Sequence, residues 1–323
     1  MVQPAILTIG DVFYKALLIL GIPANVVTLL TLQLRDCGIS KNTTIYLVSM
    51  ATSDLLVLIF YVGMSRILVP HFPQFFRYYP MACRFDLIMM FAVVDCSVWL
   101  TVSFTFDRFV AICFQGFKQR YCTTKTAAFI VSTVYLLTYA RNFQYYFTVV
   151  PYFVYGGQEI GCKKNPAIYS DPGWKAFYWL QTILTPFAPY VTIVCFNVLT
   201  IRHILVASRV RQSFHSDGAS RDSEMQNRQR AMVFLFGASA SFILLWMSTV
   251  GLFLFSRITN RYSFRNYNDP FAVINEMSRM LRILNCSSST CMYALSQYKF
   301  REELKKCGKF LKTLIWKSTA MTK

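Results

Sequence analysis

Residues 81–114 read MACRFDLIMMFAVVDCSVWLTVSFTFDRFVAICF, a stretch with no internal proline or glycine and dominated by aliphatic and aromatic side chains. Roughly 20 helical residues, at about 1.5 Å each, cross the ~30 Å hydrocarbon core of a bilayer, so this run is long enough to span one at a tilt. Six further runs of the same kind lie at 12–34, 43–69, 126–150, 174–206, 229–256 and 269–294. The sequence therefore predicts an all-α membrane protein, a seven-transmembrane helix bundle over 12–294, with a short outer segment at 1–11 and a tail at 295–323. No basic cluster precedes the first run and no small-residue cleavage site follows it, which marks it as a retained span rather than a signal peptide.

Composition agrees with the bilayer as solvent. Of 323 residues, 55% are hydrophobic and 16% aromatic, and the mean hydropathy is +0.40. The formal net charge of +18 would suggest nucleic acid in a soluble chain. Placement decides otherwise: more than half of the basic residues follow the first, third, fifth and seventh runs, from Arg35 to the Lys299–Lys323 tail. Seven crossings put those four segments on one side, which the positive-inside rule makes cytoplasmic. The expectation is a multi-pass plasma-membrane protein with its N-terminus extracellular, its C-terminus cytoplasmic, the lipid bilayer as partner and no nucleic acid. Arg77, Lys163, Lys164, Arg257, Arg261 and Arg265 fall on the outer side and would make a basic vestibule.

Ten cysteines along such a chain do not form a disulfide scaffold, and none has metal-ligand spacing with histidine. Most are expected to be small buried apolar residues. Cys83 and Cys162 differ, because the topology sets one at the outer end of the third span and the other in the loop after the fourth, where an oxidising exterior permits a bridge. The polar, Ser-rich segment 208–228 reads as a mobile cytoplasmic loop. Past the seventh span, YKFREELKKCGKFLK sets Phe300, Leu304, Phe310 and Leu311 against a basic face, as in a short amphipathic helix on the inner leaflet. Cys307 there fits either a palmitoyl anchor or a free interfacial thiol. Asn42-Thr43-Thr44 matches a glycosylation acceptor on the wrong side of the membrane and is expected to be bare.

Seven spans alone fit several functions, so polar residues that lipid makes expensive must discriminate. The third span ends in Asp107-Arg108-Phe109; the first holds Gly21-Ile22-Pro23-Ala24-Asn25; the second holds Leu47-Val48-Ser49-Met50-Ala51-Thr52-Ser53-Asp54-Leu55. The sixth carries Phe242 and Trp246, and the seventh reads Asn285-Cys286-Ser287-Ser288-Ser289-Thr290-Cys291-Met292-Tyr293. In order and at these spans, the motifs resemble those of rhodopsin-like (class A) G-protein-coupled receptors. Phe109 replaces the tyrosine of the Asp-Arg-Tyr signature, and Ser289 and Thr290 replace Asn and Pro of the seventh-span motif. Finer features, including Trp99-Leu100-Thr101-Val102, Val134-Tyr135 with Tyr145-Tyr146, and Asn197 after Pro189, are similar to orphan receptors associated with aromatic amino acids. Met90 stands where amine receptors carry their ligand aspartate.

The resemblance implies a receptor, not an enzyme, that passes the binding of an extracellular small-molecule or peptide ligand to a heterotrimeric G protein. It assigns Asp107, Arg108, Phe242, Trp246 and Tyr293 to coupling and switching. Asp54, Ser97, Asn285 and Ser289 would hold an allosteric sodium ion; a protonated, hydrogen-bonded Asp54 is the alternative, and no other cofactor is implied. Ser248 and Thr290 stand where kinking prolines are usual, and either can bend a helix by bonding to the carbonyl one turn back. Asp95 and Arg141 form an intramembrane pair of opposite charge, either bonded together or separately hydrated.

The ligand is argued from Glu276, Arg279 and Arg282, which successive steps of 60° place on one face of the seventh span. Lipid would make each expensive, so the stripe should face inward beside Asp86, Met90, Phe91, Trp246, Thr249 and Phe253. In one reading Glu276 and Asp86 neutralise the arginines in a closed network. In the other, Arg282 keeps an unpaired guanidinium for a ligand carboxylate. Two rival classes fit less well: a transporter should show repeats and interrupted helices at matching positions in two halves, and an intramembrane hydrolase needs a converging triad that His71, His203 and His215 cannot supply. A decoy or constitutively active receptor is kept open by the missing prolines.

Overall fold

The computed structural model describes residues 4–35, 39–72, 79–151, 153–155, 158–160, 162–165, 168, 171–212, 222–259, 267 and 269–296, with the backbone alone at 153–155, 158–160, 178, 208, 210–212, 222–235, 238, 257 and 288–296. Seven long helices result. α1 is Ala5–Leu34, α2 runs unbroken over Lys41–His71, α3 is Pro80–Cys113 and α4 is Thr124–Asn142. α5 comprises Pro172–Thr182, a π turn at Ile183–Phe187 and Ala188–Gln212; α6 is Asp222–Thr259 and α7 Pro270–Ser296.

Local chemistry sets several of these ends. Proline at the first helical turn of α3, α5 and α7 lacks the N–H that a helix start would leave unbonded. Asp171 caps α5 by accepting from the Gly173 and Trp174 amides at 2.6 and 3.2 Å, and Asp269 accepts from Phe271 N at 3.0 Å. Within α5, Pro186 disfavours helical dihedrals for the residue before it, and Thr185 duly sits at φ −153°, ψ 105°. Residues Val57–Leu68 of α2 wind as a π-helix, in which Ser65 Oγ bonds the Phe60 carbonyl five residues back at 3.1 Å.

The helices close into a ring with α3 at its centre: α1 packs on α2 and α7, α6 lies along α7, and α3 touches α2, α4, α5 and α6. One apolar core joins Leu58, Tyr61, Val93, Val98, Phe242, Trp246 and Ile283; a second, nearer the α1–α2 turn, joins Leu32, Tyr46, Leu47, Leu100, Phe104 and Val131. Large apolar side chains also cover the outside, with Ile19 and Phe129 more than 70% exposed. A soluble domain would leave such a belt in water, whereas lipid is its natural neighbour. Among the described residues, and by length and composition alone, five helices are apolar enough to cross a membrane: α1, α2, α3, α5 and α6. α4 and α7 fall outside that set; Lys125, Arg141 and several threonines lower the hydropathy of α4, and Glu276, Arg279 and Arg282 that of α7.

Several boundaries differ from those read in the sequence. α1 begins at Ala5, so most of segment 1–11 is helical. The fourth span stops as an α-helix at Asn142, tightens into a 3-10 helix over Phe143–Thr148 and then extends, because the β-branched Val149 and Val150 precede Pro151. β1 (Val149–Val150) pairs antiparallel with β4 (Lys163–Lys164), and β2 (Phe153–Tyr155) with β3 (Gln158–Ile160). A disulfide joins Cys83 of α3 to Cys162, just before β4. Segment 208–228 is not all loop: its two ends extend α5 to Gln212 and begin α6 at Asp222. Among the described residues Cys195 is exposed rather than buried, unlike Cys96 and Cys286. The C-terminal amphipathic segment and Cys307 lie outside the described residues.

Candidate functional site

Three helices bring charge to one end of the bundle. From α2, Arg66 donates through Nη2 to the Tyr61 hydroxyl at 3.1 Å and through Nη1 to Glu276 Oε1 at 3.3 Å. From α7, Arg279 Nη1 donates to Glu276 Oε2, also at 3.3 Å. Arg282, one turn deeper, donates through Nη2 to the same Tyr61 hydroxyl at 3.2 Å. Its guanidinium carbon lies 5.8 Å from the Tyr61 ring centroid and 5.7 Å from that of Trp246, and no carboxylate among the described residues bonds it. Asp86 of α3 accepts from Ser65 at 2.7 Å and forms no ion pair with an arginine among the described residues. The closed network is therefore half realised: Glu276 is shared by two arginines, and Asp86 takes no part.

Arg66, Tyr61 and Ser65 were absent from the candidates read in the sequence. The signal was there for Arg66, a charge in an apolar span. The cluster was hidden by winding: five residues is about 140° round an α-helix, so α periodicity sets Tyr61 and Arg66 on different faces. The π register over Val57–Leu68 brings them onto one.

These side chains border a cavity of about 650 Å³. Of the residues expected at the ligand site, Asp86, Met90, Phe91, Thr249, Phe253, Arg279 and Arg282 line it. Trp246 and Glu276 are set back from its wall and reach it through the arginines. The apolar side is braced: Phe91 stacks on Tyr145 at 4.1 Å between centroids, Phe253 meets Phe187 at 6.3 Å, and the Thr249 hydroxyl reaches the Ser278 carbonyl at 3.5 Å. Below it, Trp246 stacks on Phe242 at 5.1 Å, and both are almost wholly buried. Ser248 Oγ is buried and has no hydrogen-bond partner among the described residues, so the bond back to the preceding turn that it could make does not form.

Deeper in the bundle the Ser97 hydroxyl donates to Asp54 Oδ1 at 2.6 Å, and Asn285 is buried. Asn25 Nδ2 ties α1 to α7 through the Cys286 carbonyl at 3.1 Å. Asp54, Ser97 and Asn285 are oxygen donors of the kind a hard cation accepts; the side chain of Ser289 lies outside the described set. The donated Ser97 bond suits a sodium ligand set and a hydrogen-bonded carboxyl equally. Arg141 of α4 pairs with Asp95 of α3 and donates to Thr185 of α5 at 3.2 Å, while Asn142 Nδ2 also bonds Asp95. That cluster joins three helices beside the break in α5.

At the far end of α3, Arg108 pairs with its neighbour Asp107, and its guanidinium lies 5.6 Å from the Phe104 ring centroid. Asn42 Nδ2 approaches the other Asp107 oxygen at 3.5 Å, and the Cys122 thiol approaches the Asp107 carbonyl at 3.8 Å. Burial pushes the Cys122 thiol up to about 11, with the Asp107 charge adding to the effect. The Tyr293 side chain is not among those described.

Comparison with known proteins completes the picture. Residues 24–291 match the model of the 7 transmembrane receptor (rhodopsin family). The C5a anaphylatoxin chemotactic receptor 1 of Oncorhynchus mykiss is 24% identical over 298 residues, which cover 91% of this chain and 79% of that receptor. The growth hormone secretagogue receptor type 1 of Oryctolagus cuniculus is 24% identical over 301 residues, 88% of this chain and 76% of its own length. The cholecystokinin receptor type A of Canis lupus familiaris is 24% identical over 189 residues, 57% of this chain and 42% of that receptor. A bundle of seven helices, a polar cavity at one end, an Asp107-Arg108 pair at the other and a family match over most of the length agree: the chain belongs to the rhodopsin family of seven-transmembrane receptors, and is a multi-pass G-protein-coupled receptor rather than an enzyme.

Proposed function

We propose that this receptor answers an extracellular ligand, a small molecule or a peptide, that presents a carboxylate to Arg282 and lays its apolar or aromatic part against Phe91, Trp246 and Phe253. One observation carries the reading: Glu276 is occupied by Arg66 and Arg279, whereas Arg282 meets only a phenol oxygen and two aromatic faces among the described residues. A half-buried guanidinium with that environment favours an ionised, bidentate acceptor. The relatives are named for an anaphylatoxin, a growth hormone secretagogue and cholecystokinin, and the terminal carboxylate of a peptide would serve Arg282 as well as that of a small acid. The likeness to orphan receptors associated with aromatic amino acids suits the aromatic half of the proposal.

In this reading the cavity opens outside the cell, with the N-terminus extracellular and the C-terminus cytoplasmic. The ligand shifts a pre-existing equilibrium by binding one state better than the other. Trp246 and Phe242 pass the change from Arg282 to the lower half of α6, whose cytoplasmic end moves outward together with the Tyr293 region. The Asp107–Arg108 pair then opens, and Arg108 meets the G protein. Asp54, Ser97, Asn285 and Ser289 form the allosteric sodium site, and Asp54→Asn should abolish any sodium dependence of agonist affinity.

The test is agonist potency in surface-expressed Arg282→Gln. A loss of about tenfold or more for an anionic agonist, in line with roughly 1.5–3 kcal/mol for a charged hydrogen bond, is expected. Unchanged potency, or an equal loss for an agonist without an anionic group, would show that Arg282 only ties the helices together. High nucleotide exchange without agonist would favour the constitutively active reading instead.

A further inference from the structure

We infer that the ligand's acidic group is gripped by two arginines from different helices, Arg66 of α2 and Arg282 of α7, and that the Tyr61 hydroxyl oxygen occupies its place beforehand. The inference rests on the proposed carboxylate ligand and deepens it. Tyr61 accepts from Arg66 Nη2 at 3.1 Å and from Arg282 Nη2 at 3.2 Å, which caps the separation of those nitrogens at 6.3 Å. Nitrogens that close can each bond one of the two oxygens of the same carboxylate through charge-assisted bonds of about 2.7–2.9 Å. Tyr61, Arg66 and Arg282 all line the cavity, so the position is open to a ligand.

Both guanidiniums also lie over the Tyr61 ring, at 5.4 and 5.8 Å from its centroid. The Nε atoms of Arg66 and Arg282 are buried and have no hydrogen-bond partner among the described residues. The acceptor the two arginines share is a single phenol oxygen. Charge sets the class of ligand. Arg66, Arg279 and Arg282 stand against Glu276 and Asp86, a net of +1 among the described residues around the cavity. A monoanionic carboxylate cancels that charge; a dianion such as a phosphate monoester would overshoot it in a low-dielectric site. A carboxylate accepts more strongly than a phenol, so it displaces the Tyr61 oxygen rather than adding to it.

The probes are 3-phenylpropanoate and the neutral 3-phenylpropanamide, titrated against purified full-length receptor in lipid nanodiscs and followed by ligand-observed NMR. The acid should bind about tenfold or more tightly than the amide. Arg66→Gln and Arg282→Gln should each cost the acid about tenfold and the amide nothing. Tyr61→Phe should tighten the acid several-fold and leave the amide unchanged, because the free receptor then holds two cavity-lining arginine donors that have lost their shared acceptor. A loss at Arg282→Gln with none at Arg66→Gln would overturn the two-arginine grip while leaving the proposed ligand class intact. No binding of the acid, or no preference for it over the amide, would sink both. Weaker acid binding by Tyr61→Phe, or equal losses of acid and amide at Arg66→Gln, would show that these residues only support the helices. Should Arg66→Gln fail to fold, Arg66→Lys, which keeps the charge but loses the fork, together with Tyr61→Phe decides the question.

Discussion

Arg108 is the residue proposed to carry the signal to the G protein without touching the ligand. It is held by Asp107, next to it in sequence, and Asn42 of α2 adds a long contact to the same carboxylate. Arg108→Ala is expected to abolish agonist-stimulated nucleotide exchange while leaving surface expression and ligand affinity within about twofold, since the side chain lies at the opposite end of α3 from the cavity; normal exchange would reject the role. Cys122 offers an independent probe of the same corner. A thiol raised to about 11 from an ordinary value of 9.0 is neutral at pH 7.5, so alkylation should run on the order of a hundredfold slower than for an unperturbed thiol and accelerate as pH rises towards 11. Fast labelling at pH 7.5 would show that Cys122 is not packed beside Asp107. Asp107 and Arg108 were legible in the sequence because they are adjacent and stand at a span's end. Tyr61 and Arg66 were not, because their meeting depends on a local winding that the residue order does not announce.

At the scale of helices, contact between elements turns on small residues and on buried pairs. A Cβ on Gly21 would sit 2.8 Å from Ser287 Oγ and 2.9 Å from Leu58 Cδ1, so α1, α2 and α7 approach one another only because that side chain is missing. Gly21→Val should lower stability by about 1–3 kcal/mol, the usual cost of overpacking, seen as a lower unfolding temperature in detergent. The Asp95–Arg141 pair is a second joint, with Thr185 of α5 and Asn142 of α4 completing it. Removing one member of a buried pair costs about 3–5 kcal/mol, whereas replacing both by apolar residues is often neutral. Arg141→Met should therefore destabilise strongly and Asp95→Leu/Arg141→Met much less; equal losses would mean that the two residues act separately. Opposite charge and matching depth made this pair readable beforehand, but not its extension to Thr185, which depends on the irregular backbone ahead of Pro186.

Across the whole molecule, hydropathy was sufficient to number the helices because a bilayer leaves a spanning chain few alternatives. It was least informative where a helix carries its charge inward: α7, which brings Arg279 and Arg282 to the cavity wall with Glu276 bonded behind them, falls outside the set of clearly apolar helices because of those same three charges. The cavity and the Asp107–Arg108 pair lie at opposite ends of α3, joined through Trp246 and Phe242 and through the core they share with Val98 and Ile283. Coupling across that distance is thermodynamic, so it must be reciprocal: if bound agonist raises G-protein affinity by some factor, nucleotide-free G protein must raise agonist affinity by the same factor. A factor of about 5–150 is usual for such linkage. Agonist competition binding on receptor in nanodiscs, with and without purified heterotrimer, should show the affinity rising on addition of the heterotrimer and falling back when guanine nucleotide releases it. In Arg108→Ala the affinity without heterotrimer should persist and the rise should vanish. A rise of equal size in that variant would mean that the G protein biases the bundle through some contact other than Arg108, and the proposed route from the cavity to the far end of α3 would have to be redrawn.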